Sequence, residues 1–400
     1  MRRLVLLLAA VFAAAAAASA PAAQAPLSTR LERALSVPHV DQARAAAVAV
    51  DLRTGEIVYE RNGRRSLAPA STEKLTLSYA LLSTLGADYR IRTELLGTGA
   101  ADGPTWRGNL ILKGYGDPTL TKWDLRALAR SLSGLGIRRV TGSLLADESY
   151  FDARRVGPGW KPSYYIEESP PLSALVVDRA RDGRRTSTRP ALLAAEKLRK
   201  AMKAYGVSVA GGIGLGRAPQ NASRITLTSS APLSRILHAV NGDSDNFTAE
   251  MLLKHLGAVV RGNGTTDAGT AVVTDVLTEA GIPLDGVRLR DASGLSLLDR
   301  LTVRTLATLL VAAWQDPAMR DVFLRTLAVS GRRGTLDERL EAPAVEGKVV
   351  AKTGTTNRAS ALAGFVKGRY AFAVLQNGSP VSYWWARRAQ DRFVTVLATS

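Results

Sequence analysis

Ser71 and Lys74 stand three positions apart in the stretch Ala68-Pro69-Ala70-Ser71-Thr72-Glu73-Lys74. The pattern predicts that this stretch opens a helix. Positions i and i+3 share a helical face, so the hydroxyl and the amine meet within one turn. A serine hydroxyl becomes a nucleophile when a neighbouring base takes its proton, and lysine is such a base when burial or a second cation lowers its pKa. Serine there also suits a helix cap. Ser244-Asp245-Asn246 falls in a polar break between two helical patterns, a place where functional side chains are displayed. Ser244 or Asp245 equally suits the N-cap of the helix that follows. Lys352-Thr353-Gly354-Thr355 ends an apolar strand pattern. It sets a cation at a sheet edge, a glycine that lets another backbone come close, and two hydroxyls on one face beside the cation. Such a group receives a carboxylate. An edge strand guarded by a lysine has the same outline.

Together the three stretches are far more specific than any one of them. In this order they form the signature of active-site-serine penicillin-recognising enzymes. The chain resembles the low-molecular-mass penicillin-binding proteins of the D-alanyl-D-alanine carboxypeptidase/endopeptidase type, the DacB-like serine DD-peptidases with domains inserted between the first two motifs. Pro69 to Leu75 resembles the family's nucleophile segment. Leu112-Lys113-Gly114-Tyr115-Gly116-Asp117-Pro118-Thr119-Leu120 resembles its Gly-Asp-Pro-Thr-Leu segment, with Tyr115 where glycine is usual. Asp291-Ala292-Ser293-Gly294-Leu295-Ser296 resembles its Asp-Gly-Ser-Gly-Leu-Ser, with Ala292 departing. Ser173-Ala174-Leu175 and Gly334-Thr335-Leu336 also match. The interval from Ser71 to Ser244 leaves room for an insertion smaller than the larger members carry.

The resemblance implies acyl transfer at a D-Ala-D-Ala peptide bond. Ser71 would attack, Lys74 take its proton, Ser244 relay a proton to the leaving amine, and Asn246 orient Lys74 and meet the substrate amide. Lys352, Thr353 and Thr355, with Gly354 between the threonines, would hold the terminal carboxylate. The backbone N–H groups of Ser71 and Thr355 would form the oxyanion hole. Peptidoglycan stem peptides are the implied substrates and β-lactams the implied covalent inhibitors, with no cofactor and no metal. A β-lactamase of the same fold and a non-hydrolytic cell-wall binding protein are the competing functions.

The elements that must position these residues follow in order. Residues 27–36 read as an amphipathic helix, residues 43–51 and 56–60 as a hairpin, and the Ser71 helix runs to a cap at Gly86. Residues 91–225 mix strand and helix patterns punctuated by Pro and Gly, and read as an insertion. From 231 the pattern is helical. Strands return at 348–352, 361–367 and 370–376, and a helix closes the chain at 383–397. This order predicts an α+β fold: an antiparallel sheet assembled from both ends of the chain, flanked by helices, with a helical subdomain and an inserted α/β satellite. The expected division is a signal peptide at 1–25, a peptidase domain at 26–90 and 226–400, and the insertion at 91–225.

Met1-Arg2-Arg3, followed by an Ala-rich apolar run, reads as a secretory signal. The expected location is therefore the periplasm or the outer, cell-wall side. The chain has no cysteine, which excludes disulfides, thiolate metal sites and lipoprotein anchoring. Its formal charge of +18 favours an anionic cell-wall or membrane surface over nucleic acid for an exported protein. His39, His238 and His255 are not spaced as metal ligands, and Glu167 and Glu168 read as a solvated loop.

Overall fold

Residues 359–377 contain two nearly unbroken apolar runs, and these form the centre of a six-stranded antiparallel sheet. In the computed structural model, which describes residues 25–400, the strand order is Ala328–Val329, Val349–Thr356, Ala359–Val366, Tyr370–Asn377, Ala45–Asp51, Ile57–Arg61. Arg2, Arg3 and the apolar run expected to direct export lie outside the described residues. Ala359–Val366 is buried along its whole length because both faces of the sheet are covered. On one face Leu31, Leu35, Phe372, Phe393 and Leu397 bind the first helix (Leu27–Leu35) and the last (Tyr383–Ala398) to the sheet. On the other face Leu75, Leu81, Leu252, Leu306 and Phe365 join the helical body. Burying one such side chain contributes about 1.5–3 kcal/mol. The two ends of the chain meet in the sheet, where Ala45 pairs with Gln376 and Asp51 with Tyr370.

Between Arg92 and Ser229 lie further sheets. A five-stranded one combines parallel pairs, such as Leu110–Gly114 with Leu144–Asp147, and antiparallel pairs, such as Arg92–Gly97 with Ser223–Ser229. Helices Lys122–Gly134 and Pro190–Ala204 fill its core through Leu125, Leu128, Leu132 and Leu198. Phe151, Leu172 and Val176 of this region pack on Phe247 and Met251 of the helix Asn246–Arg261. That helix is buried from Phe247 through Ala258.

The Ser71 stretch differs from a simple helix start. Ala70–Glu73 is a tight 3-10 turn, and the α-helix begins at Lys74. Ala70 adopts a left-handed backbone at φ 47°. The reason lies in what presses on the turn. Gly294, at φ +77°, brings its backbone so close that a Cβ there would sit 1.9 Å from the carbonyl oxygen of Ala70. Gly354 does the same from the sheet, where a Cβ would lie 2.9 Å from the Pro69 carbonyl oxygen and 3.1 Å from the Ser71 nitrogen. Two backbones thus clamp the turn that carries Ser71. Gly294→Ala is expected to push that turn outward. Urea unfolding should show a loss of about 1–3 kcal/mol, and labelling by a fluorescent penicillin should slow in the same variant.

Candidate active site

The three sequence motifs converge. Lys74, fully buried, directs its Nζ at Ser71 Oγ (2.8 Å), Asn246 Oδ1 (2.8 Å) and the backbone carbonyl oxygen of Ser293 (2.7 Å). Lys352, also fully buried, donates to Ser244 Oγ at 2.8 Å and to the Thr353 carbonyl at 2.8 Å. A neutral amine has two N–H bonds and one lone pair. As an ammonium Lys74 donates to all three oxygens. Once neutral, its two N–H bonds match the Asn246 and Ser293 oxygens, and its lone pair can take the Ser71 hydroxyl hydrogen that otherwise points to the Ser293 carbonyl. Ser71 is therefore not a cap, because its Oγ is engaged by Lys74 and by the Ser293 carbonyl at 3.2 Å.

At the second motif the capping and functional readings are both met, by different residues. Asp245 caps the helix Asn246–Arg261 by accepting from the Thr248 N–H at 2.8 Å. Arg179, from the inserted region, forms an ion pair with the same carboxylate. Asp245 is thereby fixed, and Ser244 and Asn246 on either side turn inward. Ser244 takes a left-handed backbone, φ 63°, to do so. A non-glycine residue held there costs about 1–3 kcal/mol and persists only where its surroundings hold it.

At the third motif, Val349–Thr356 continues as a strand through Lys352 to Thr355. Its outer neighbour, Ala328–Val329, pairs only with Ala351 and Val350. The edge beyond Ala351 is left unpaired beside the cleft. Thr353 Oγ1 donates to Thr335 Oγ1 at 2.8 Å. The cleft has a volume of about 770 Å³. Ser71, Ser244, Asn246, Thr353 and Thr355 line it, with Tyr164 and Glu168 forming a wall from the inserted region. Glu168 sits exposed in a loop, as the sequence suggested, and that loop faces the cleft, where Glu168 accepts from Asn246 Nδ2 at 3.3 Å. His255 is buried against the Tyr115 carbonyl, and burial lowers its pKa to about 4.

The charge balance rests on a group that the motifs do not contain. Glu250 Oε1 accepts the backbone N–H groups of Ala292 (3.0 Å) and Ser293 (2.9 Å). Asp291 accepts from Ser293 Oγ, the N–H groups of Gly294 and Ser296, and Trp160 Nε1. These bonds set the Ser293 carbonyl against Lys74. Glu73 and Asp299 lie beside Asp291, buried. Burial first, and then the Asp291 charge, push Glu73 and Asp299 far above the usual carboxylate range and Glu250 up to about 8. Burial thus favours the neutral forms of these acids and weakens their pull on the Lys74 proton. Burial outweighs the remaining attraction of Asp291 and Glu250 and brings Lys74 down to about 8. Burial, then the Lys74 charge, depresses Lys352 strongly. A backbone carbonyl leaves no mark in a sequence. Glu250 does leave one, as a carboxylate set among Ala249, Met251 and Leu252 on an otherwise apolar helix.

Comparison with known proteins identifies the family and the fold. The profile of the D-Ala-D-Ala carboxypeptidase 3 (S13) family matches residues 27–186 and 180–400. A D-alanyl-D-alanine carboxypeptidase from an Actinomadura species is 32% identical over 87% of this chain and 80% of its own length. A carboxypeptidase of Mycobacterium tuberculosis is 32% identical over 94% of this chain and 86% of its own. The crystal structure of penicillin binding protein 4 from Haemophilus influenzae superposes with a TM-score of 0.81 at 22% identity, covering 94% of this chain and 99% of that one. That protein shares the fold, and it has also been solved with a β-lactam bound.

Two outcomes test the site. Lys74 accepts a proton only when neutral, so acylation by a β-lactam should rise about tenfold per pH unit and level off above about pH 8. Stopped-flow acylation across pH 5.5 to about 9 reads this limb directly; a flat profile would remove Lys74 as the base. Glu250→Ala leaves two buried N–H groups without an acceptor and should cost about 1–3 kcal/mol in urea unfolding and slow acylation. Glu250→Gln keeps an oxygen at that position and should recover most of both.

Proposed function

The chain belongs to the D-Ala-D-Ala carboxypeptidase 3 (S13) family, and from that premise we infer how its cleft works. It is a serine-type D-Ala-D-Ala carboxypeptidase that acts on peptidoglycan stem peptides and is acylated by β-lactams. The observation that carries the mechanism is the convergence of Lys74 Nζ on Ser71 Oγ, Asn246 Oδ1 and the Ser293 carbonyl.

The substrate's extended C-terminus lies along the unpaired edge of Val349–Thr356, where backbone groups await a partner. Its carboxylate meets Thr353, Thr355 and Lys352, whose amine the arriving negative charge draws back toward its protonated form. Ser71 Oγ attacks the carbonyl carbon of the penultimate D-alanine while its proton passes to Lys74. The oxyanion is held by the N–H groups of Ser71 and Thr355, a type of contact that contributes about 2.7–4 kcal/mol per donor. The C–N bond then breaks. The leaving amine takes a proton through Ser244, whose hydroxyl Lys352 orients. Water repeats the sequence on the acyl-enzyme and frees the serine. The same steps open a cross-link when the leaving amine belongs to a second stem peptide.

We place this chemistry outside the cytoplasm, on the strength of Arg2-Arg3 and the apolar run after them. Among the described residues no helix is long and apolar enough to cross a membrane. The basic charge supports contact with an anionic cell-wall or membrane surface.

The decisive measurement is covalent labelling by a fluorescent penicillin, mapped by mass spectrometry, together with D-alanine release from a pentapeptide ending in D-Ala-D-Ala. Wild type is expected to carry one label on the Ser71 peptide and to release D-alanine. Ser71→Ala should lose both, whereas labelling that survives the substitution overturns the assignment. Rapid turnover of a chromogenic cephalosporin would favour the β-lactamase alternative.

A further inference from the structure

A second cavity, of about 780 Å³, runs along the C-terminal helix and meets the catalytic cleft. Arg339, Tyr383 and Arg387 line both. Arg30, Arg388 and Arg392 line the farther part. The carboxylates in this groove are Glu338 and Asp391, and Asp391 is taken by Arg339 at 2.7 Å. Among the described residues, Arg30, Arg387, Arg388 and Arg392 have no carboxylate partner. Two of them are braced by aromatic rings. The Arg388 guanidinium lies 5.0 Å from the Trp384 ring centre, and Arg387 lies 5.0 Å from that of Tyr383. Stacking holds a guanidinium in place and leaves N–H groups pointing outward, a geometry suited to carboxylates. Trp384 is 57% exposed, so the Arg388 it braces stands at the open side of the groove.

The groove leaves the cleft on a definite side. Thr353, at the carboxylate end of the cleft, is bonded to Thr335, and the same segment reaches Arg339 four residues later. This is the side on which the leaving group departs. A single D-alanine ends at its own carboxylate and would reach none of Arg30, Arg388 or Arg392. A leaving group that continues as a peptide, with further carboxylates, would reach them.

We propose that this arginine groove binds the second, acidic stem peptide of cross-linked peptidoglycan, which makes the cross-linked dimer a substrate in its own right. The proposal rests on the carboxypeptidase reading of the cleft. In the step it serves, the bond between the D-alanyl carbonyl and the amine of the second peptide breaks. The acyl group passes to Ser71 Oγ, the amine takes a proton, and water later releases the acyl group as a carboxylate. The groove takes part in none of these bond changes. It holds the departing strand.

The test compares two substrates on the full-length protein: a soluble monomeric pentapeptide ending in D-Ala-D-Ala and a cross-linked peptide dimer. In Arg388→Glu/Arg392→Glu, kcat/KM for the dimer should fall about tenfold or more, chiefly through KM. The monomer should be cleaved as by wild type, which also reports that the variant is folded. Arg388→Gln/Arg392→Gln should show a smaller loss of the same kind. Rising salt should weaken dimer cleavage in wild type more than in either variant. Equal effects on both substrates, or none on the dimer, overturn the proposal. So does an unchanged dimer rate accompanied by lost binding to phosphatidylglycerol vesicles or poly(glycerol phosphate), which would make the groove a surface anchor. A wild type that cleaves the monomer and leaves the dimer intact removes the groove's role and spares the carboxypeptidase reading. Cleavage of neither removes both.

Discussion

Two lysine amines lie wholly out of water in one cleft, and the rest of the structure answers to that. An ammonium ion without water is costly unless it is paired or gives up its proton. Here oxygen atoms surround Lys74: a hydroxyl, an amide and a backbone carbonyl. Lys352 is met by a hydroxyl and a carbonyl. None of these partners carries a full charge. The acids packed nearby are themselves buried, so they are driven toward their neutral forms. An amine in these surroundings is poised to release and retrieve a proton near neutral pH, which is what a hydroxyl nucleophile requires of its base.

Holding oxygen partners around a buried amine demands backbone placement that side chains alone do not achieve. The Ser293 carbonyl is aimed by Glu250 and Asp291, each gripping N–H groups of the same turn. The Ser71 turn is wedged between Gly294 and Gly354. Ser244 holds a left-handed conformation next to the cap that Asp245 forms. These are local costs, offset by the large apolar cores on either face of the sheet. The inserted region adds a wall of the cleft through Tyr164 and Glu168, and it braces the site from outside through Arg179 on Asp245 and Trp160 on Asp291.

Much of this was legible in the chain. Sheet strands and most helices lie within a few residues of where hydrophobic periodicity put them, because the central strands are apolar throughout and the helices carry clear apolar faces. The strand carrying Lys352 runs four residues further than its apolar run suggested, since threonines and a glycine extend it at an open edge. Glu168 is exposed in a loop as expected, but that the loop faces the cleft was not legible, because exposure looks the same in sequence whether a loop faces bulk water or a cleft.

By itself the sequence determined which residues are candidates to bear chemistry. Ser71, Lys74, Ser244, Asn246, Lys352, Thr353 and Thr355 are side chains, and side-chain identity and spacing are written in the order of residues. Tertiary structure alone decided their company. The Ser293 carbonyl that receives Lys74, the buried acids behind it and the arginine groove beside the cleft depend on burial and on contacts between segments distant along the chain. Electrostatics in a protein follows distance in space and exclusion of water, and neither is a property of a residue taken alone.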